Sequence, residues 1–290
     1  MFDNIFAAIE KWMRELLTGM VESNMSTMFT DVNEKTNEIA AQVGRTPQNW
    51  NSSVFSMIQN LSESVVVPIA GIIITLVLCY ELISMLTERN NLHDVDTWMF
   101  FKYFVKAWVA IYLVSNTFTI TMAVFDVGQS VVNSASGIIN GETAIDVSSL
   151  SMQMQAAMAT MEIGELVVLA LETFLVSFCM KIMSVVITVI VYGRMIEIYL
   201  YTSLAPIPFA TMSNREWGHV GTNYFRGLFA LAFQAFLMMV CVAIYAALIS
   251  SVRISSNMHS ALIGVAAYTV ILCFSLMKTG SLSKQIFGSH

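Results

Sequence analysis

The chain is 290 residues long, 56% apolar and only 12% charged, whereas soluble domains carry about 25% charge. With a mean hydropathy of +0.68 it has too little charge to cover a water-facing surface, so the composition excludes a soluble globular domain and points to a polytopic membrane protein. The net charge of -6 and pI near 5.2 argue against a protein that coats nucleic acid.

In chain order, residues 1–20 place Phe2, Ile5, Phe6, Ile9, Trp12, Met13, Leu16, Leu17 and Met20 at helical spacing, interrupted by Asp3, Glu10, Lys11, Arg14 and Glu15. This pattern predicts an amphipathic helix rather than a signal peptide, lying along a membrane surface or against a partner helix. Met25, Phe29, Val32, Thr36, Ile39 and Val43 then form a short heptad-like stripe suited to helix pairing. Thr46 before Pro47 reads as a helix start, and from there the chain is expected to run as helix into the first membrane span. Residues 1–63 are taken as an extracellular amphipathic region, and residues 64–290 as a transmembrane helical domain.

A hydrocarbon core about 30 Å thick needs about 20 apolar helical residues to cross. Five stretches meet that need: Val65 to Leu86, Trp98 to Phe125, Leu166 to Tyr201, Tyr224 to Ile249 and Ala261 to Met277. The expected fold is therefore an all-α membrane bundle of five spans. Between the second and third spans lies a polar connection, Asp126 to Glu162, with a turn signal at Asn140-Gly141. Pro206 and Pro208 are expected to stop the third span and turn the chain into the fourth.

The Asp126 to Glu162 connection has no lysine or arginine. Its neighbours carry Arg89 with Lys102 and Lys106, and Arg215 flanked by Arg194 and Arg226. The positive-inside tendency then places the N-terminus outside and the C-terminus, with Lys278 and Lys284, in the cytoplasm. Lys11, Arg14, Lys35, Arg45 and Arg253 count against this orientation, and eight acidic residues in the N-terminal region offset the first four. The third stretch contains no turn residue except Gly193 and predicts one helix of about 36 residues, some 54 Å long. It must tilt or protrude from the bilayer.

That helix carries the candidate site. At 100° per residue, Glu162, Glu165, Glu172, Arg194 and Glu197 fall within an arc of about 100°, with Lys181 nearly opposite. A cation at the centre of a span costs roughly 2.5 to 3.5 kcal/mol on insertion scales, so such residues face a bundle interior, another subunit or water. Glu165, Glu172, Lys181, Arg194 and Glu197 are candidate pathway or interprotomer residues. Arg194 and Glu197 also suit a local ion pair, Glu165 and Glu172 equally suit the wetted end of the helix, and Lys181 calls for a partner from another helix or protomer. Gln234 suits interhelical bonding, and Gly221 and Gly227 allow a close approach at the start of the fourth span. Lys102 and Lys106 read as interfacial anchors.

No phosphate loop, zinc-helix motif or nucleophile elbow is present. His93, His219, His259 and His290 are expected in connections or at the terminus, and the four cysteines read as core residues. No cofactor, metal or catalysis is expected.

The run Tyr192-Gly193-Arg194-Met195-Ile196-Glu197, continuing through Ala205-Pro206-Ile207-Pro208-Phe209-Ala210 to Glu216-Trp217-Gly218, resembles the TrbL-like conjugal transfer proteins of Gram-positive conjugative elements. These are relatives of the polytopic inner-membrane subunit of type IV secretion systems. The resemblance implies a cell-membrane subunit of a DNA and protein transfer apparatus. It further implies a ring or cluster of identical copies, other secretion components including an ATPase as partners, and transient contact with transferred DNA or protein. Arg194, Glu197, Pro206, Pro208 and Trp217 occupy matching positions. A small-solute transporter and a non-conducting integral scaffold remain alternative readings at this point.

Overall fold

The computed structural model describes residues 2–87, 97–139, 147–252 and 258–289. The described residues form helices and no strands: α1 Phe2–Val43, α2 Pro47–Trp50, α3 Ser52–Leu61, α4 Val67–Thr87, α5 Thr97–Ser115, α6 Thr117–Ile139, α7 Val147–Ala159, α8 Ile163–Ser203, α9 Pro206–Thr211, α10 Gly218–Ser250 and α11 Met258–Phe287. Five helical segments are long and apolar enough to cross a membrane: Ser52–Thr87, Thr97–Ser115, Ile163–Ser203, Gly218–Ser250 and Met258–Phe287. The expected number of spans is met. Arg89, His93, Asn140-Gly141, Arg253 and His290 lie outside the described residues.

Four local expectations change. Trp50 ends α2, and the Asn51 side chain accepts a bond from Val54 N at 3.1 Å, so the helix restarts there instead of running on from Thr46. Before Pro68, which has no amide hydrogen to donate, Ser62–Val66 widens to a π turn in which Val67 N bonds Ser62 O. The stretch Trp98 to Phe125 divides into α5 and α6 at Asn116. The Asn116 and Thr117 side chains bond carbonyls of the preceding turn, while Asn116 N and Ile120 N still make the i→i−4 backbone bonds. Most of the presumed connection from Asp126 onward is helix, because its polar residues share α6 with a buried face that includes Val124, Phe125 and Val132. The third span is one helix as predicted, 41 residues or about 60 Å.

The chain forms two compact units, Met1–Val43 with Ser134–Val191 and Met238–Lys278, and Gly44–Asn133 with Tyr192–Leu237 and Thr279–His290. In the first unit the α1 stripe is buried at Met25, Phe29, Val32, Ile39 and Val43, as its heptad spacing predicts. Also buried in this unit are Leu166, Leu169, Met180 and Ile187 of α8, Met238 and Val242 of α10, and Leu262, Val265 and Leu272 of α11. Hydroxyls also meet between these helices, as Tyr245 does with Thr269 at 2.9 Å. The apolar face of residues 4–20 stays uncovered, with Trp12 62% exposed.

In the second unit α9 lies against α4 and α5. Ala205, Phe209 and Ala210 pack with Ala70, Ile74, Leu78, Ala110 and Val114. Val124 and Phe125 of α6 pack with Met195, Ile198, Leu228 and Leu231 of α8 and α10. Lipid tails are as apolar as these side chains. Close packing and interhelical hydrogen bonds therefore decide such contacts more than removal from water does.

Candidate functional site

The end of α8 in the second unit is shaped by its prolines. Pro206 cannot donate to Thr202 O nor Pro208 to Leu204 O, so α8 stops at Ser203 and α9 begins with Pro206 in its first position. The Asn214 side chain then accepts from Glu216 N at 2.7 Å and Trp217 N at 2.9 Å, capping the entry into α10. Gly221 lets the turn close: a Cβ there would stand 2.5 Å from Pro208 O and 2.1 Å from Met212 Cγ. At Gly227 the close neighbour is a side chain rather than a backbone, since a Cβ would meet the Tyr201 hydroxyl at 2.1 Å. Tyr201 and Tyr224 stack with ring centroids 4.5 Å apart, and each hydroxyl donates to the other residue's carbonyl, at 3.3 and 2.7 Å.

Arg194 is 7% exposed. Its Nη2 donates to Leu231 O at 3.4 Å and its Nη1 lies 3.8 Å from Met195 Sδ, while its Nε has no partner among the described residues. A guanidinium has five donors, so this one is held in the helix interface with much of its capacity unused. Glu197 is bonded not to Arg194 but to Lys284 of α11, at 3.0 Å, with both side chains 44% exposed. The local Arg194/Glu197 pair expected from the sequence gives way to a pair between helices. Gln234 does bond between helices as expected, from its Nε2 to Thr279 Oγ1 at 3.4 Å.

In the first unit, Glu165 caps its own helix: Oε2 accepts from Glu162 N at 3.2 Å, the reciprocal half of a capping box. Glu172 Oε2 bonds Nδ1 of His259, which stands in the first turn of α11 and not in a connection. His219 likewise stands in the first turn of α10. Lys181 is exposed, next to Phe178 and Ile182. The structure thus brings Glu172 and Glu197 each to a residue of α11, buries Arg194 and leaves Lys181 outward.

Sequence reasoning missed several participants. Glu81 pairs with Lys106 at 2.5 Å, and Tyr80 donates to Glu216 at 3.1 Å and stacks on Trp217. Lys106, expected as an interfacial anchor, is therefore an ion-pair partner. A carboxylate near the end of an apolar run was the available signal for Glu81; nothing in the spacing pointed from Glu172 to His259. Among the described residues no group of His, Cys, Asp and Glu could hold a metal. The arrangement suits holding helices in register and presenting polar groups inside an apolar bundle.

Helices long enough to cross a bilayer, with charges distributed in this way, define a multi-pass membrane protein, one of whose candidate spans is 41 residues long. The chain belongs to the TrbL/VirB6 plasmid conjugal transfer like protein family, whose model matches residues 32–206. It is thus a membrane component of a conjugal transfer, or type IV secretion, apparatus. No curated protein and no solved structure matches the chain.

Proposed function

We propose that the protein is a homo-oligomeric scaffold or channel subunit of a conjugative type IV secretion apparatus, working with other secretion components that include an ATPase. Its N-terminus lies outside the cell and its C-terminus in the cytoplasm, and the chain itself catalyses no reaction. Membership of the conjugal transfer family carries this reading. Packing supports the oligomer, because the helices of each unit close on side chains. A route wide enough for a polymer then needs several copies arranged by symmetry. Lys181 supports it too, since a cation on an uncovered apolar helix face requires a partner or water supplied by the assembly.

Mass measurement of the protein extracted in mild detergent tests the oligomer: several copies per particle are expected, and a monomer under gentle conditions overturns it. Orientation is tested by replacing the native cysteines and labelling single cysteines at Ser134 and Arg215, both exposed positions. External reagent is expected to reach the first and not the second, and the opposite pattern reverses the topology.

A further inference from the structure

Three hydrogen bonds fix α1 beside α8 in the first unit. Asn24 Nδ2 donates to Thr173 Oγ1 at 3.5 Å, Ser177 Oγ donates to Asn24 O at 3.2 Å, and Lys35 Nζ donates to Thr188 Oγ1 at 3.2 Å. The two helices therefore run parallel, with residues 24–35 abreast of residues 173–188.

At that height the two neighbours show opposite chemistry. α8 turns Phe174, Phe178, Ile182, Val185 and Val189 outward, with Phe178 58% and Val185 64% exposed. Along α1 from Val21 to Val43, every exposed residue is serine, threonine, asparagine, glutamate or alanine, Thr30, Glu34 and Asn37 among them. Hydrocarbon on all sides would bury the Glu34 carboxylate and the Asn37 amide away from water, although a hydroxyl such as that of Thr27, which bonds Ser23 O at 2.8 Å, is satisfied along its own helix. Water on all sides would expose a continuous apolar face that soluble proteins cover. Neither solvent alone matches the unit.

We propose that this height is wetted on one side only: α8 faces lipid, and the polar stripe of α1 from Ser23 to Asn37 lines an aqueous compartment within the apparatus. Lys181 fits the same division. At 100° per residue it lies between the α8 arc that touches α1, at Thr173, Ser177 and Thr188, and the apolar arc. Its long stem can carry the ammonium round to the water. The inference rests on the membrane-subunit reading above, adds which wall of the protomer is wet, and sets residues 24–35 beside the membrane part of α8 in place of the extracellular position that the sequence suggested for them.

The test uses a cysteine-less parent, with Cys79, Cys179, Cys241 and Cys273 replaced by alanine, in cells carrying the whole apparatus; retained transfer checks its folding. Single cysteines at Thr30, Asn37, Phe178 and Val185 are exposed to membrane-permeant N-ethylmaleimide for increasing times, and the unreacted fraction is read by a gel shift after denaturation. The thiolate, which forms where water reaches the sulfur, adds to the maleimide double bond. Thr30→Cys and Asn37→Cys are expected to react at least tenfold faster than Phe178→Cys and Val185→Cys. Fast reaction at all four would place this height outside the bilayer, and slow reaction at all four would remove the aqueous compartment; either overturns the proposal. A monomeric mass with the rate contrast intact overturns the homo-oligomer and leaves the wet wall standing. An oligomer with equal rates does the reverse.

Discussion

The two units pack by different means. The first buries Met25, Met28, Met154, Met158, Met180, Met238, Met239 and Met258, while Met195 is the one methionine among the described core residues of the second. All four prolines, Pro47, Pro68, Pro206 and Pro208, belong to the second. So do the glycines at which an added Cβ would strike a neighbour closer than 3.0 Å, namely Gly128, Gly221 and Gly227; Gly19, Gly164 and Gly264 of the first have nothing within 4 Å. Unbranched thioether side chains fill irregular space and tolerate exchange. Backbone held against backbone by proline and glycine does not. The contrast teaches that the second unit is specified by shape and the first by the pattern of apolar and polar faces.

The largest expected effect breaks that contrast most directly. Gly221→Leu forces a side chain into Pro208 O and should cost about 3 kcal/mol or more, with little protein accumulating in the membrane. Gly264→Leu should stay within about 0.5 kcal/mol. Thermal unfolding in detergent reads both, and equal midpoints would erase the distinction. Next, Lys181→Met should lower transfer frequency by about tenfold, the equivalent of roughly 1.4 kcal/mol, without changing the unfolding midpoint. Mating assays beside the melting curve separate a functional loss from a structural one, and unchanged transfer shows the outward lysine to be dispensable.

Smaller effects sharpen the picture. Tyr224→Phe removes the donor to Tyr201 O and should destabilise by about 1 kcal/mol. Met238→Leu in the first unit should cost less than about 1.5 kcal/mol despite complete burial, and a larger loss there would show the first unit to be as shape-specified as the second. Smallest of all, Lys284→Met breaks a half-exposed pair with Glu197 and should change stability by less than about 1 kcal/mol, with transfer unaltered. Screening by salt gives an independent check: the wild-type and Lys284→Met midpoints should converge as ionic strength rises.

Much of the fold was legible because its signals are local. The Thr46 oxygen accepts from Asn49 N at 3.2 Å, and the third span is a single helix because nothing between Ile163 and Ser203 interrupts it. The buried α1 stripe follows from spacing alone. The helical character of the Asp126 stretch was not legible from mean hydropathy, which records how apolar a segment is and not whether its apolar residues share a face. The candidate site was legible as a set of charged residues and not as a set of contacts. Glu165 serves its own helix end, Glu172 meets His259, and Arg194 ends on a carbonyl of α10.

Composition and periodicity determined by themselves that this chain forms membrane-spanning helices, where its proline turn falls, and that its longest membrane-spanning helix carries charge, since each depends on residues within a few turns of one another. Tertiary structure alone decided that Glu197 pairs with Lys284, that Arg194 is enclosed, and that a polar face of α1 stands abreast of an apolar face of α8. The angle of a side chain about its own helix says nothing of which neighbour waits there, and in a bundle that neighbour determines whether a charge is paired, buried or wet.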